Sequence, residues 1–278
     1  MSRRLLLASA ISSLTVFAPA AFAQTEVTDE VTDPIATSTA GSGGAADDIH
    51  ITLTGRVVVS TTTTPAVTLD SDNTILQEGN VSIITDDDGG VGIHVVGGNT
   101  GTLTNSGLVQ VQSDSRPTDL DGDGDLDGPA AIGGNRIAIL VDGAAVFTGD
   151  IILTTRSAIT VLGNDSSGIR VLTGIDGSLD LDGTIGIIGD RSEGVAIQSD
   201  VSDDIFVRGQ VTAVGDGTVG VSVEGDVGGT IAIAGTIAAS GYQFSGQPNA
   251  DYLAILDADD LNQGGSAFYL SGSVAEGV

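Results

Sequence analysis

Apolar residues in this chain recur as pairs separated by one residue, and the pairs alternate with clusters of Gly, Asp, Asn and Ser. Ile185/Ile187, Val195/Ile197 and Ile205/Val207 form one such series, their starts ten residues apart. Alternation of this kind puts both members of a pair on one face of a short strand. A helical period is almost absent, so the chain reads as all-β.

The pairs belong to a longer repeat. Residues 158–183, 184–209 and 210–235 align without a gap at a period of 26. Gly183, Gly209 and Gly235 close the repeats, and Gly163, Gly189 and Gly215, then Gly168, Gly194 and Gly220, mark their internal turns. Stacking the repeats yields aliphatic columns: Ile159, Ile185, Val211 and Ile237; Ile169, Val195 and Val221; Leu179, Ile205 and Ile231. The pattern predicts a right-handed parallel β-helix, a solenoid with three strands per rung and a repeat of about 26 residues. Val195 faces inward in this register and Ala196 outward. Sandwiches and propellers are disfavoured because they need antiparallel hairpin turns at alternate sites.

Earlier rungs are less regular. Residues 80–107 give a 28-residue version with its extra residues near Asp86, Asp87 and Asp88, and insertions are expected at 116–135 and 242–265. Residues 24–47 are Thr, Ser, Ala, Gly and acids without an apolar period and read as a flexible leader, so the β-helix is expected over 48–278. Arg3 and Arg4, the apolar run from Leu5, and Ala21-Phe22-Ala23 before Gln24 have the three zones of a secretory signal peptide over residues 1–23. Export to the cell surface or the extracellular space is the expectation.

Composition narrows the chemistry. Thirty-seven acids against nine Lys and Arg give a net charge of −28, so nucleic acid and anionic membranes would be repelled, and cations, basic proteins or neutral glycans are the partners to expect. Cysteine is absent, which removes disulfides, thiolate metal sites and a Cys nucleophile. All nine basic residues are arginines, which removes Schiff-base chemistry and lysine general bases. Aromatics are only 3%, so the core must be aliphatic.

The signal peptide, the Cys-free Gly/Asp-rich body and rungs such as Gly189-Asp190-Arg191-Ser192-Glu193-Gly194-Val195 resemble the passenger region of autotransporters, the type V secreted proteins of Gram-negative bacteria. The resemblance implies an extracellular structural or adhesin-like module that meets a host surface protein or glycan. It also implies a C-terminal outer-membrane barrel in the full-length protein. No run of barrel strands follows the repeats, and Glu276-Gly277-Val278 copies Glu193-Gly194-Val195 at a strand opening, so truncation at the C-terminus is expected.

The sharpest local motif is Asp119, Asp121, Asp123, Asp125 and Asp127, with Gly124 at the sixth position of the run. Alternating carboxylates around a sharp turn suit Ca²⁺, a hard ion that takes six to eight oxygens. The EF-hand's twelfth-position Glu is Ala130 here, and the spacing is similar to the calcium loops of FG-GAP repeats. Asp257, Asp259 and Asp260 form a weaker cluster in the other insertion. Gly215-Asp216-Gly217-Thr218-Val219-Gly220 fits the dinucleotide glycine pattern, but a strand follows it instead of a helix, so it reads as a corner. His50 and His94 alternate outward between aliphatics. No catalytic residue is readable and an enzyme is not expected. A β-helical polysaccharide lyase or hydrolase is the alternative.

Overall fold

Period-2 strands separated by short corners close into a three-sided coil, in which each strand pairs with its counterpart one turn later. The computed structural model describes residues 24–113, 131–241 and 262–278. It is an all-β parallel solenoid of about eight rungs with three strands per rung. Three eight-stranded parallel sheets result. The first runs from Gln24–Val27 to Ile231–Ile233, the second from Glu30–Val31 to Thr236–Ser240, and the third from Ile35–Ala36 to Phe268–Leu270.

The aliphatic columns stack as the repeat predicts. Ile159 pairs with Ile185, Ile185 with Val211 and Val211 with Ile237; Ile169, Val195 and Val221 form the second column and Leu179, Ile205 and Ile231 the third. Nearly all of these residues are fully buried, while Ile237 in the last rung is partly covered. A further buried column, Phe147, Ile175, Val201 and Val227, stands at the corner between the third and first sheets. Its members fall singly in the sequence and escape a search for pairs.

Residues 24–47 depart from the expected leader. Gln24–Val27, Glu30–Val31 and Ile35–Ala36 form the first rung, and Thr25 and Val27 pair with Ile49 and Ile51 of the next. Val27 is buried beside Ile51, and Val31 and Ile35 pack against the core beside Val57 and Val67. Most of the 116–135 and 242–265 insertions lie outside the described residues. Ala131–Asn135 belong to a rung: Gly134 bridges Asn164, and Asn135 N–H donates to the Asn164 carbonyl.

Two glycine columns set how closely the rungs approach. A Cβ on Gly209 would lie 1.9 Å from the Gly183 carbonyl oxygen, and one on Gly235 would lie 1.9 Å from that of Gly209. Gly168, Gly194 and Gly220 lie inside strands of the third sheet, not in turns as expected. A side chain on Gly194 would meet Val211 of the second sheet at 2.4 Å. Ala196 also differs from expectation. It stands on the outward face between Arg170 and Ser222, yet it is fully covered, as Ser222 beside it nearly is. Glu276-Gly277-Val278 does not repeat the third-sheet opening: Gly277 bridges Thr230 beside the first sheet.

The acids of the corners have a structural use. Asp190 Oδ1 accepts the Asp216 N–H, Asp200 Oδ1 the Asp226 N–H, Asp226 Oδ1 the Ser273 N–H and Asp204 Oδ1 the Thr230 N–H. Each carboxylate thus satisfies a backbone donor of the following rung at a bend where no strand partner is at hand.

Candidate functional site

The outer face of the third sheet is where charged, hydroxyl and aromatic side chains converge. The 26-residue register places Arg170, Ala196 and Ser222 in one outward column, with Tyr269 next to Ser222. Glu193 opens the strand Glu193–Ile197, and Glu224 follows the strand Val219–Val223 directly. Ser222 Oγ donates to Glu224 Oε1 at 3.4 Å and lies near Glu193, whose carboxyl it helps to keep charged. Arg170 Nε donates to Ser167 Oγ at 3.0 Å, and its charge faces Glu193. Tyr269 is half exposed beside them.

Partial burial pushes the Glu193 carboxyl above its ordinary range. The Arg170 guanidinium opposes this shift, the charge of Glu224 adds to it, and the Ser222 hydroxyl reduces it. A carboxyl held toward its neutral form beside a second carboxylate can donate a proton while the other accepts one. Arg170 adds a fixed positive charge. Glu224 and Tyr269 are exposed, Glu193 and Arg170 are partly buried and Ser222 is buried, and the arrangement spans four rungs.

Other charged groups serve the scaffold. Arg191 Nε and Nη2 donate to the two Asp165 oxygens at 2.8 and 2.6 Å, joining adjacent rungs, and this pair holds the Asp165 carboxyl below its usual range. Arg208 joins Asp182 and Asp180 of the preceding rung and lies over the Phe206 ring at 4.8 Å. Arg136 is fully buried and donates to four backbone carbonyls, those of Ile132, Leu162, Thr85 and Asp87. It thereby ties three successive corners together. Burial pushes its guanidinium below the ordinary value, while Asp88, Asp86 and Asp87 pull it back. Sequence reasoning passed over this residue, whose one signal is an arginine placed between Gly133-Gly134-Asn135 and an apolar strand.

The calcium candidates Asp119, Asp121, Asp123, Asp125 and Asp127 lie outside the described residues, as do Asp257, Asp259 and Asp260. Among the described residues no group of three or more His, Cys, Asp and Glu side chains could hold a metal ion. His50 and His94 face outward, each against a carboxylate: His50 Nε2 lies 2.9 Å from Glu78 and His94 Nε2 lies 2.5 Å from Asp142. Gly215, Asp216 and Gly217 form a corner, and Gly220 falls within the next strand. No protein-family model matches the chain, and neither a curated protein nor a solved structure matches it. The convergence of Arg170, Glu193, Ser222 and Glu224 was hidden in the sequence because its members come from three rungs. The 26-residue period applied to Arg170 would have found the column.

Proposed function

We propose that the chain is an extracellular, adhesin-like structural module, the passenger part of a surface or secreted bacterial protein of the autotransporter type. The observation that carries this reading is the continuity of the stack: three parallel sheets pass through eight rungs, joined at the corners by carboxylates that bind the next rung. A rod built this way presents long regular faces, and its rungs differ chiefly in what they display outward. The signal-like segment over residues 1–23 supports export. Within this reading Ca²⁺ orders the Asp119–Asp127 loop, the partner is a host surface protein or glycan, and an outer-membrane barrel completes the full-length protein.

Expression in a Gram-negative host tests the proposal. Protease added to intact cells should degrade the protein, and N-terminal sequencing of the mature product should begin at Gln24. Protection from protease in intact cells, with residues 1–23 retained, would overturn it.

One observation favours a second reading, a surface enzyme acting on polysaccharides: the paired Glu193 and Glu224 beside Arg170. Its test is turnover on neutral and acidic polysaccharides. Activity abolished by both Glu193→Gln and Glu224→Gln would establish the enzyme and displace the structural reading.

A further inference from the structure

The second sheet carries an outer face unlike the rest of the molecule. From Asn80–Ile84 to Thr236–Ser240 its outward positions hold no Asp, Glu or Arg, in a chain with 37 acids. At a strand spacing of about 4.8 Å, the six rungs give an uncharged face about 24 Å long. Over the last four of these rungs its central column is short, with Thr160, Gly186, Thr212 and Ala238 in register. Along one side runs a taller aliphatic row, Leu162, Ile188 and Val214, of which Ile188 is 42% exposed. Along the other run Thr184, Gln210 and Thr236, all exposed. The result is a shallow trough parallel to the stack, with methyl groups on one wall and hydroxyl and amide groups on the other.

Charge selects among occupants. Asp190 and Asp216 border the trough at one corner, Asp182 at the other is paired with Arg208, and the chain as a whole carries a net charge of −28, so two copies laid face to face would repel. Acidic polysaccharides and nucleic acids meet the same repulsion. A peptide cannot join as an added strand, because the backbone groups of this sheet are already committed to the ladder between rungs. An uncharged polysaccharide meets none of these objections. Its C–H faces can lie on the aliphatic wall and its hydroxyls can bond Thr and Gln side chains.

We propose that the outer face of the second sheet binds an uncharged polysaccharide lying along the stack. The inference rests on the reading of the chain as a surface module, and it names that module's ligand class and the face that takes it.

Affinity electrophoresis of the purified full-length protein tests it, because so acidic a chain migrates fast and retardation is read directly. Native gels would contain hydroxyethylcellulose, dextran or mannan, with polygalacturonate as the acidic comparison. The expected result is retardation by at least one neutral polymer and none by polygalacturonate. Thr160→Asp combined with Thr212→Asp should weaken retardation about tenfold, equivalent to about 1.4 kcal/mol. Thr104→Asp, on the outer face of the first sheet, should leave it unchanged. Ile188→Ser with Val214→Ser removes the aliphatic wall without adding charge and should weaken retardation too, which keeps the test decisive if the double aspartate variant does not fold. Failure of every neutral polymer to retard a folded protein would overturn the inference, as would retardation that survives both double variants. Retardation by polygalacturonate would equally overturn it. So would a dimer in sedimentation that Thr212→Asp dissociates, since that would assign the face to a second copy. A protein exposed on cells but unretarded defeats this inference alone, whereas one kept inside cells defeats the reading beneath it.

Discussion

Gly209→Ala probes the stack at its tightest point. The added Cβ would sit 1.9 Å from the Gly183 carbonyl oxygen, where ordinary contacts begin above 3 Å, so the two rungs must separate locally by more than an ångström. Three ladder bonds meet at this corner: Gly209 N–H to Leu181 O at 2.9 Å, Gln210 N–H to Gly183 O at 3.0 Å and Thr236 N–H to Gly209 O at 2.9 Å. Losing them at about 0.5–1.5 kcal/mol each costs about 1.5–4.5 kcal/mol, about 3 at the middle of the range. The reduced entropy of the unfolded chain returns about 0.4–1 kcal/mol. The net loss is about 2–3 kcal/mol, which lowers the melting temperature of a chain this size by about 5–10 °C. Gly186→Ala is the internal control, since its Cβ meets only the Ile159 carbonyl at 3.9 Å and should leave stability unchanged or raised by about 0.5 kcal/mol. Calorimetry or urea unfolding followed by circular dichroism reads both. Equal shifts for the two variants would refute the stacking of closing glycines on carbonyls.

Three further outcomes are expected. Arg136→Met removes the donors to four corner carbonyls and should cost about 3–5 kcal/mol in urea unfolding. Glu193→Gln should raise the melting temperature at neutral pH. Because the folded Glu193 carboxyl titrates above its unfolded range, its favourable contribution is present at low pH and lost as pH rises through the folded value, so the gain from Gln should vanish in acid. A constant gain at all pH values would show that burial of its charge is not the cause. Millimolar calcium should slow proteolysis within the 116–135 insertion far more than magnesium does, and Asp121→Ala with Asp123→Ala should abolish the difference. Calorimetry that detects no calcium heat would remove the ion from that loop.

The rung register was legible because it is written linearly: Ile185, Val211 and Ile237 recur 26 residues apart, and the carbonyl-packed Gly183, Gly209 and Gly235 do the same. The first rung was not. Val27, Val31 and Ile35 stand alone among acids and threonines, and only docking against the second rung makes them core. Gly168, Gly194 and Gly220 were read as turns because glycine is the usual mark of a turn, whereas here it lets the third sheet approach the side chains of the second. Ala196 shows a limit of alternation, which gives the direction of a side chain but not whether that face is covered. Arg136 is harder still, since its four acceptors come from corners on three different rungs. The Glu193 and Glu224 pairing and the uncharged second-sheet face both follow once outward positions are stacked in register. Neither can be seen along a single strand.

Parallel rungs in the stated register underlie every face of the solenoid, and spin labels measure that register directly because the chain has no cysteine to remove. Val58, Ser82, Gln110, Thr160, Gly186, Thr212 and Ala238 stand in one outward column of the second sheet. Nitroxides on Gln110→Cys and Ala238→Cys are four rungs apart, about 19 Å at 4.8 Å per rung, and on Val58→Cys and Ala238→Cys six rungs, about 29 Å. Pulsed dipolar spectroscopy should return narrow distributions near both values, differing by about two rung spacings. Broad distributions, or a Val58 to Ala238 distance no longer than that from Gln110, would contradict the solenoid and every face assigned to it.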